Sequence, residues 1–307
     1  MIWLFVLGAA LAGAPFVAEL ARQPVQAVRK GADLAKLSRG QTRYLWFGPK
    51  DGPVIVLVHG LTTPSPVFDA VAAGLARQGA RVLTYDLYGR GRSDRPGGAQ
   101  TRDVFVRQLR ELLVDQRVAE PITLVGYSMG GVIATAYSAK YLDQVERLVL
   151  LASAGLCHKF DRFTAFCVKA PWIGDWLMVL FGPRGLRRVA EEVRHLDSQV
   201  PDIAEVIEAE TRMRGYMPAV LSSLRNCLVG DQRRTHGALA NTGLPVLAIW
   251  GDEDTVIPPE AQDQLAEANP AARQVRLTAA GHGLPFTHAD RIVDEIAQFG
   301  LVEPGRG

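Results

Sequence analysis

Residues 122–134, Ile-Thr-Leu-Val-Gly-Tyr-Ser-Met-Gly-Gly-Val-Ile-Ala, place one serine between two glycines where two element types meet. The β-branched run before it reads as a buried strand, and the Ala-rich, apolar stretch to residue 141 reads as a helix. Ser128 therefore sits on a sharp strand-to-helix turn, a nucleophile elbow. A serine hydroxyl is a weak nucleophile until a base takes its proton, so the chemistry such a turn serves is covalent catalysis. Gly126 and Gly130 flank it because a Cβ at either position would collide with the strand or the helix. The turn also aims the helix N-terminus at Ser128, so the Met129 N–H and the helix dipole face any negative charge that develops there.

The rest of the chain must build a scaffold around that turn. With 307 residues, 48% of them hydrophobic, it is long enough for one large core with an insertion. Net charge is +2, from 34 Lys and Arg against 32 Asp and Glu, with no basic run interleaved with aromatics. That balance argues against nucleic acid as a partner and for a small molecule. Cys157, Cys167 and Cys227 are too few and too scattered for a disulfide framework or a zinc site, and they point weakly to a reducing compartment. No metal or organic cofactor is implied, and nothing in the sequence speaks to oligomeric state.

Residues 1–18 carry no charged side chain, about the shortest run that can span a bilayer core as a helix, so residues 1–20 read as a membrane-anchor candidate. Arg22, Arg29, Lys30, Lys36 and Arg39 follow, and the positive-inside rule then places the remainder in the cytoplasm. The alternative is a cleaved signal peptide and an exported protein, against which stand the lack of a preceding Lys or Arg and Pro15 after the Ala12-Gly13-Ala14 site. After a polar linker over 21–41, strands over 42–47 and 54–58 are expected to form a hairpin across Gly-Pro-Lys-Asp-Gly-Pro. The second strand leads into His59-Gly60-Leu61, then a helix over 66–78 and a strand over 81–86, which implies a parallel sheet. A helix over 104–117 precedes the elbow strand, and a buried strand over 146–155 follows the elbow helix.

His59-Gly60 after a buried strand, and Asp86-Leu87-Tyr88-Gly89-Arg90-Gly91-Arg92-Ser93 after the next, both precede the elbow in the order found in the α/β-hydrolase family, which residues 42–300 resemble. The resemblance implies an α/β fold: a mostly parallel central sheet flanked by helices, with an inserted helical cap. The core is expected over 42–155 and 244–303, and the cap over 156–243. No strand pattern interrupts the latter, and its aromatic residues, Phe160, Phe163, Phe166, Trp172, Trp176 and Phe181, are read mainly as packing the cap over an apolar cavity. Gly182-Pro183 and Met217-Pro218 are read as helix breaks. Gly60 allows a sharp turn, so the Leu61 N–H can join the Met129 N–H in an oxyanion hole, while His59 braces the loop. Arg90, Arg92 and Arg95 are read as a solvated loop.

The family places a triad acid in a Gly-x-x-Asp pattern after the strand over 244–250, which selects Asp254, with Asp252 and Glu253 as neighbouring rivals. Gly281-His282-Gly283 after the last strand supplies the base candidate, His282, and His288 is read as structural. Leu284-Pro285-Phe286 departs from the Glu and Pro that the family often shows there, which blurs the subfamily. The chain order Ser128, Asp254, His282 is the one expected of this fold. It implies acyl transfer to water through an acyl-serine, with carboxylic esters carrying an apolar acyl or alcohol moiety as leading substrates. A carbon–carbon bond hydrolase, an amidase or lactonase, and a perhydrolase keep the same triad. A catalytically silent binder of a small apolar ligand is the non-enzymatic alternative.

Overall fold

The computed structural model describes residues 2–24 and 32–301. Among them, eight strands form one sheet: β1 (Asp33–Leu37), β2 (Gly40–Phe47), β3 (Val54–Val58), β4 (Arg81–Tyr85), β5 (Ile122–Tyr127), β6 (Val145–Leu151), β7 (Val246–Gly251) and β8 (Arg273–Leu277). Their order is β1-β2-β4-β3-β5-β6-β7-β8, with β1, β2 and β4 joined antiparallel and every later pair parallel. The helices are α1 (Ile2–Leu20), α2 (Asp69–Arg77), α3 (Arg102–Asp115), α4 (Met129–Lys140), α5 (Arg162–Lys169), α6 (Ile173–Arg194), α7 (Ile203–Glu210), α8 (Tyr216–Asn226), α9 (Arg233–Ala240), α10 (Glu260–Ala268), α11 (Leu284–Thr287) and α12 (Ala289–Ile296).

Strands β3, β5 and β7 are buried along their whole length. Successive side chains therefore feed two cores on opposite faces of the sheet. Val56, Val58, Leu124 and Leu148 pack with Leu109 of α3, Ile133 of α4 and Leu265 of α10. Ile55, Leu57, Val125 and Val149 pack with Leu75 of α2 and Ile292 of α12. The sheet is thus covered on both sides, and its central strands read as unbroken apolar runs.

The expected hairpin does not form. Strand β2 pairs with β4, Tyr44 opposite Tyr85, and not with β3. A strand as apolar as β3 needs neighbours on both edges, and the crossover through α2 brings β4 in parallel beside it, leaving the more polar β2 outside. The stretch 21–41, expected as linker, contains β1, in which only Ala35 is buried, a pattern too weak to register as a strand in sequence.

Helices α5 to α9 fill the chain between β6 and β7. Neither expected helix break occurs in this insertion. Pro183 lies within the 22-residue α6, and the carbonyl it leaves without a helical partner, that of Val179, accepts from Arg22 Nη2 at 2.5 Å. Pro218 falls in the first turn of α8, where an N–H has no intrahelical acceptor to lose.

The freed carbonyl helps to seat the end of α1. Glu19 pairs with Arg22 and accepts from the Gly215 N–H at 2.7 Å, Arg214 Nη2 donates to Leu20 O at 2.7 Å, and Trp176 Nε1 donates to Leu11 O at 2.7 Å. Leu11, Phe16, Val17 and Leu20 remain exposed. Among the described residues no helix is long and apolar enough to cross a membrane; the side chains of residues 2 and 4–10, within the segment expected as an anchor, lie outside those described.

Leu57, wholly buried in the centre of the sheet, and Leu34, 42% exposed on the edge strand, test this architecture. Urea unfolding should show a loss of about 3 kcal/mol for Leu57→Ala, against under about 1 kcal/mol for Leu34→Ala.

Candidate active site

Ser128 is the residue between β5 and α4, with φ 53° and ψ −116°. A positive φ in a residue with a Cβ is strained and persists only where its surroundings over-determine it. Three backbone bonds do so: Ser128 N–H donates to Leu151 O at 2.9 Å, and Ser128 O accepts from Gly131 N at 3.0 Å and Ala154 N at 3.1 Å. The turn is also too tight for side chains beside it. A Cβ on Gly126 would lie 2.4 Å from Gly130 O, and one on Gly130 would lie 2.0 Å from Val58 O.

The loops after β7 and β8 bring Asp254 and His282 to this turn. His282 Nε2 lies 3.1 Å from Ser128 Oγ, and His282 Nδ1 lies 2.8 Å from Asp254 Oδ2. The Asp254 side chain is 2% exposed, and its Oδ1 accepts from the N–H groups of Val256 and Ile257 at 2.8 and 2.9 Å. Two backbone donors thus hold one carboxylate oxygen and leave the other for the imidazole. With the proton on Nδ1 facing Asp254, Nε2 presents its lone pair to the serine hydroxyl. Asp252 accepts instead from Ala280 N at 3.3 Å, and it and Glu253 are exposed. His288 bonds to Thr287 Oγ1 at 2.8 Å.

One contact to His282 was not legible in sequence. Tyr127 OH donates to His282 O at 2.9 Å, and its ring lies 5.3 Å from the imidazole. Strand alternation marks Tyr127 as buried but names no partner 155 positions away.

The loop after β3 closes the other side. His59, fully buried, accepts from Leu87 N–H through Nε2 at 2.9 Å, which assigns the proton to Nδ1, and that N–H donates to Gly60 O at 2.9 Å. The Gly60–Leu61 peptide is trans, so a carbonyl turned to His59 turns the Leu61 N–H the opposite way. The Met129 N–H opens α4 and has no helical acceptor. Ser128, His282, Gly60 and Leu61 all line one cavity of about 640 Å³, whose walls include Phe163, Met178, Phe181 and Met217 from the insertion.

Two of the three loop arginines, Arg90 and Arg95, are not solvated as expected, whereas Arg92 is partly exposed. Arg90 is fully buried, and burial lowers its pKa to about 10. Arg95 is also largely enclosed and shifted downward by burial. Glu210, at the end of α7, accepts from Gly91 N–H at 2.9 Å and is pushed up to about 7 by burial, against the attraction of Arg95. A run of arginines between glycines looks like exposed loop in sequence; only the insertion packed above it takes it out of water.

Burial lowers the His59 pKa from 6.5 to about 4. The native state binds this proton less readily than the unfolded chain, so the stability contributed by neutral His59 is complete above about pH 6.5 and is lost as pH falls towards 4. The difference amounts to about 3 kcal/mol. Urea unfolding at pH 7, 6, 5 and 4.5 should show this loss as a stability difference between wild type and His59→Asn that shifts against the wild type as pH falls, with His236, lowered to about 4 by burial, and Glu210, raised to about 7 and of opposite sign, common to both.

Residues 53–289 match the family model described as alpha/beta hydrolase fold. Lipase 3 of Moraxella sp. (strain TA144) is 25% identical over 240 residues, covering 78% of this chain and 74% of the lipase. The haloalkane dehalogenase of Mycobacterium marinum is 31% identical over 223 residues, covering 70% and 73%. Among solved structures, the enol-lactonase from Burkholderia xenovorans LB400 superposes with a TM-score of 0.71 at 24% identity, over 87% of this chain and 99% of that one, a likeness of fold. With the family model spanning most of the chain and the sheet order that carries Ser128, Asp254 and His282 to one edge, the protein belongs to the alpha/beta hydrolase fold family of hydrolases.

Proposed function

We propose that this hydrolase cleaves carboxylic esters bearing an apolar moiety, by way of an acyl-serine. The observation that carries the reading is the hydrogen-bonded chain Ser128, His282, Asp254 opening onto an apolar cavity of about 640 Å³. Similarity to Lipase 3 supports the ester class.

His282 takes the Ser128 proton through Nε2 as Oγ attacks the ester carbonyl. Asp254 stabilises the imidazolium through the Nδ1–H bond. The Leu61 and Met129 N–H groups receive the charge on the tetrahedral oxygen, a contribution of several kcal/mol to lowering the barrier. Collapse expels the alcohol with the proton from His282, and water repeats the sequence on the acyl-serine. Neither a metal nor an organic cofactor has a part in these steps.

Purified full-length protein should hydrolyse p-nitrophenyl esters with a clear optimum in acyl length, and Ser128→Ala should lower kcat by about 10⁴-fold or more. Loss of activity in the variant together with fluorophosphonate labelling of the wild type alone supports the acyl-serine. Labelling without ester turnover moves the substrate to amides, lactones or diketones; neither labelling nor turnover by folded protein leaves a silent binder.

The cavity makes a second prediction. Gly185 lies on its wall, and a Cβ there meets nothing within 4 Å. A phenyl ring in that space displaces the distal part of a long acyl chain. Gly185→Phe should therefore shorten the preferred chain, with kcat/KM falling about fourfold for each methylene that loses its burial, about 0.8 kcal/mol apiece, and short esters unaffected. An unchanged chain-length profile would place the acyl chain elsewhere.

A further inference from the structure

The loop that carries the Leu61 N–H is held in an unusual way. Three successive carbonyls each accept a hydrogen bond from a different buried side chain: Gly60 O from His59 Nδ1 at 2.9 Å, Leu61 O from Arg90 Nε at 2.9 Å, and Thr62 O from Tyr216 OH at 2.8 Å. The first clamp lies within the core. The other two depend on helix α8 of the insertion. Tyr216 is the first residue of α8, and Ser223, seven positions and thus two turns further along the same face, accepts from Arg90 Nη2 at 2.9 Å.

Every nitrogen of the Arg90 guanidinium is engaged, with four of its five N–H groups donating. Its Nη1 donates to Tyr88 O at 3.1 Å and Gln100 Oε1 at 2.5 Å, and Ser223 Oγ donates to the same Gln100 oxygen at 3.0 Å. Among the described residues no carboxylate pairs directly with Arg90, although Glu210 attracts it at longer range, and its side chain has no exposed surface. An unpaired guanidinium in the interior is costly, and an apolar residue of similar volume would fill the space at less cost. What that residue could not supply is a rigid planar set of donors reaching the Leu61 carbonyl, the preceding turn and α8 at once.

We infer that helix α8 sets the oxyanion loop, with Tyr216 and Arg90 as positioning residues that hold the Thr62 and Leu61 carbonyls and so fix the direction of the Leu61 N–H. The inference rests on the acyl-serine reading, in which that N–H meets the tetrahedral oxygen. Tyr216 and Arg90 do not line the cavity. They act on the barrier through the loop and have no direct contact with a bound ester. An oxyanion donor a few tenths of an ångström out of place weakens the transition state more than the ground state, so the effect belongs in kcat.

The test uses full-length Tyr216→Phe, Arg90→Met and Arg90→Lys, assayed with p-nitrophenyl butyrate and with a fluorophosphonate, whose reaction with serine passes through a charged oxygen in the same hole. The expected result for Tyr216→Phe is a kcat about tenfold lower with KM within twofold of wild type, and a phosphonylation rate lowered by the same factor. Arg90→Met should lose more, and Arg90→Lys, which keeps one donor, should recover part of that loss. A melting temperature within a few degrees of wild type for Tyr216→Phe separates positioning from unfolding, and that variant decides the matter if Arg90→Met does not fold. A wild type that turns over ester while Tyr216→Phe and Arg90→Lys match it within twofold overturns the clamp alone, as does a rise in KM at constant kcat. A wild type that neither turns over nor labels overturns the hydrolase reading and the clamp together.

Discussion

The structure depends on one strained residue. Ser128 holds φ 53° only because strand β5 must end and helix α4 begin within a space that admits no side chain beside it. The backbone bonds that hold it come from β6 at Leu151 and from the loop at Ala154, so the turn is fixed by the parallel pairing of β5 with β6. That pairing in turn needs both faces of the sheet covered, since parallel strands this apolar are stable only when buried on both sides. Two cores, one on each face, meet that need. Ser128 is therefore placed by the whole sheet, and its hydroxyl clears the edge where the loops after β7 and β8 arrive.

The three side chains of the proposed triad are supported to different degrees. Asp254 is locked by two backbone donors and is almost inaccessible. His282 is held by Asp254 on one side and, through its carbonyl, by the Tyr127 hydroxyl on the other, with 23% of its side chain exposed to the cavity. This gradation suits the proposed roles, in which His282 exchanges a proton while Asp254 stays still. His59 belongs to the same scheme from the opposite side, since its assigned tautomer decides which way the Gly60–Leu61 peptide faces.

The insertion does more than cover the cavity. It encloses Arg90, Arg95 and Glu210, charged groups that burial shifts towards their neutral forms. Tyr216 and Ser223 tie α8 to the same loop that faces Ser128. Along the far side, Pro183 frees the Val179 carbonyl for Arg22, so a residue that would break a helix in isolation becomes a docking point for the end of α1. In each case a feature that looks locally unfavourable is accommodated by a distant segment.

Much of this protein is determined locally and so can be read from its sequence. The Gly-x-Ser-x-Gly turn, the apolar strands around it and the order of Ser128, Asp254 and His282 all follow from residue types within a few positions of one another, because strand, turn and helix signals are short-range. The strand partners were not determined that way: β2 sits outside β4 and not beside β3, since pairing is chosen by which strand needs two neighbours, a property of the assembled sheet. Nor was the burial of Arg90, whose glycine-rich surroundings look solvated until α8 is laid across them, or the continuity of α6 through Pro183, which needs Arg22 to satisfy a carbonyl 157 positions away. Hydrogen bonds between distant segments leave no pattern in either segment alone. The residues able to do chemistry are thus written in the sequence, while the groups that aim them are selected only when the tertiary structure brings the insertion and the core together.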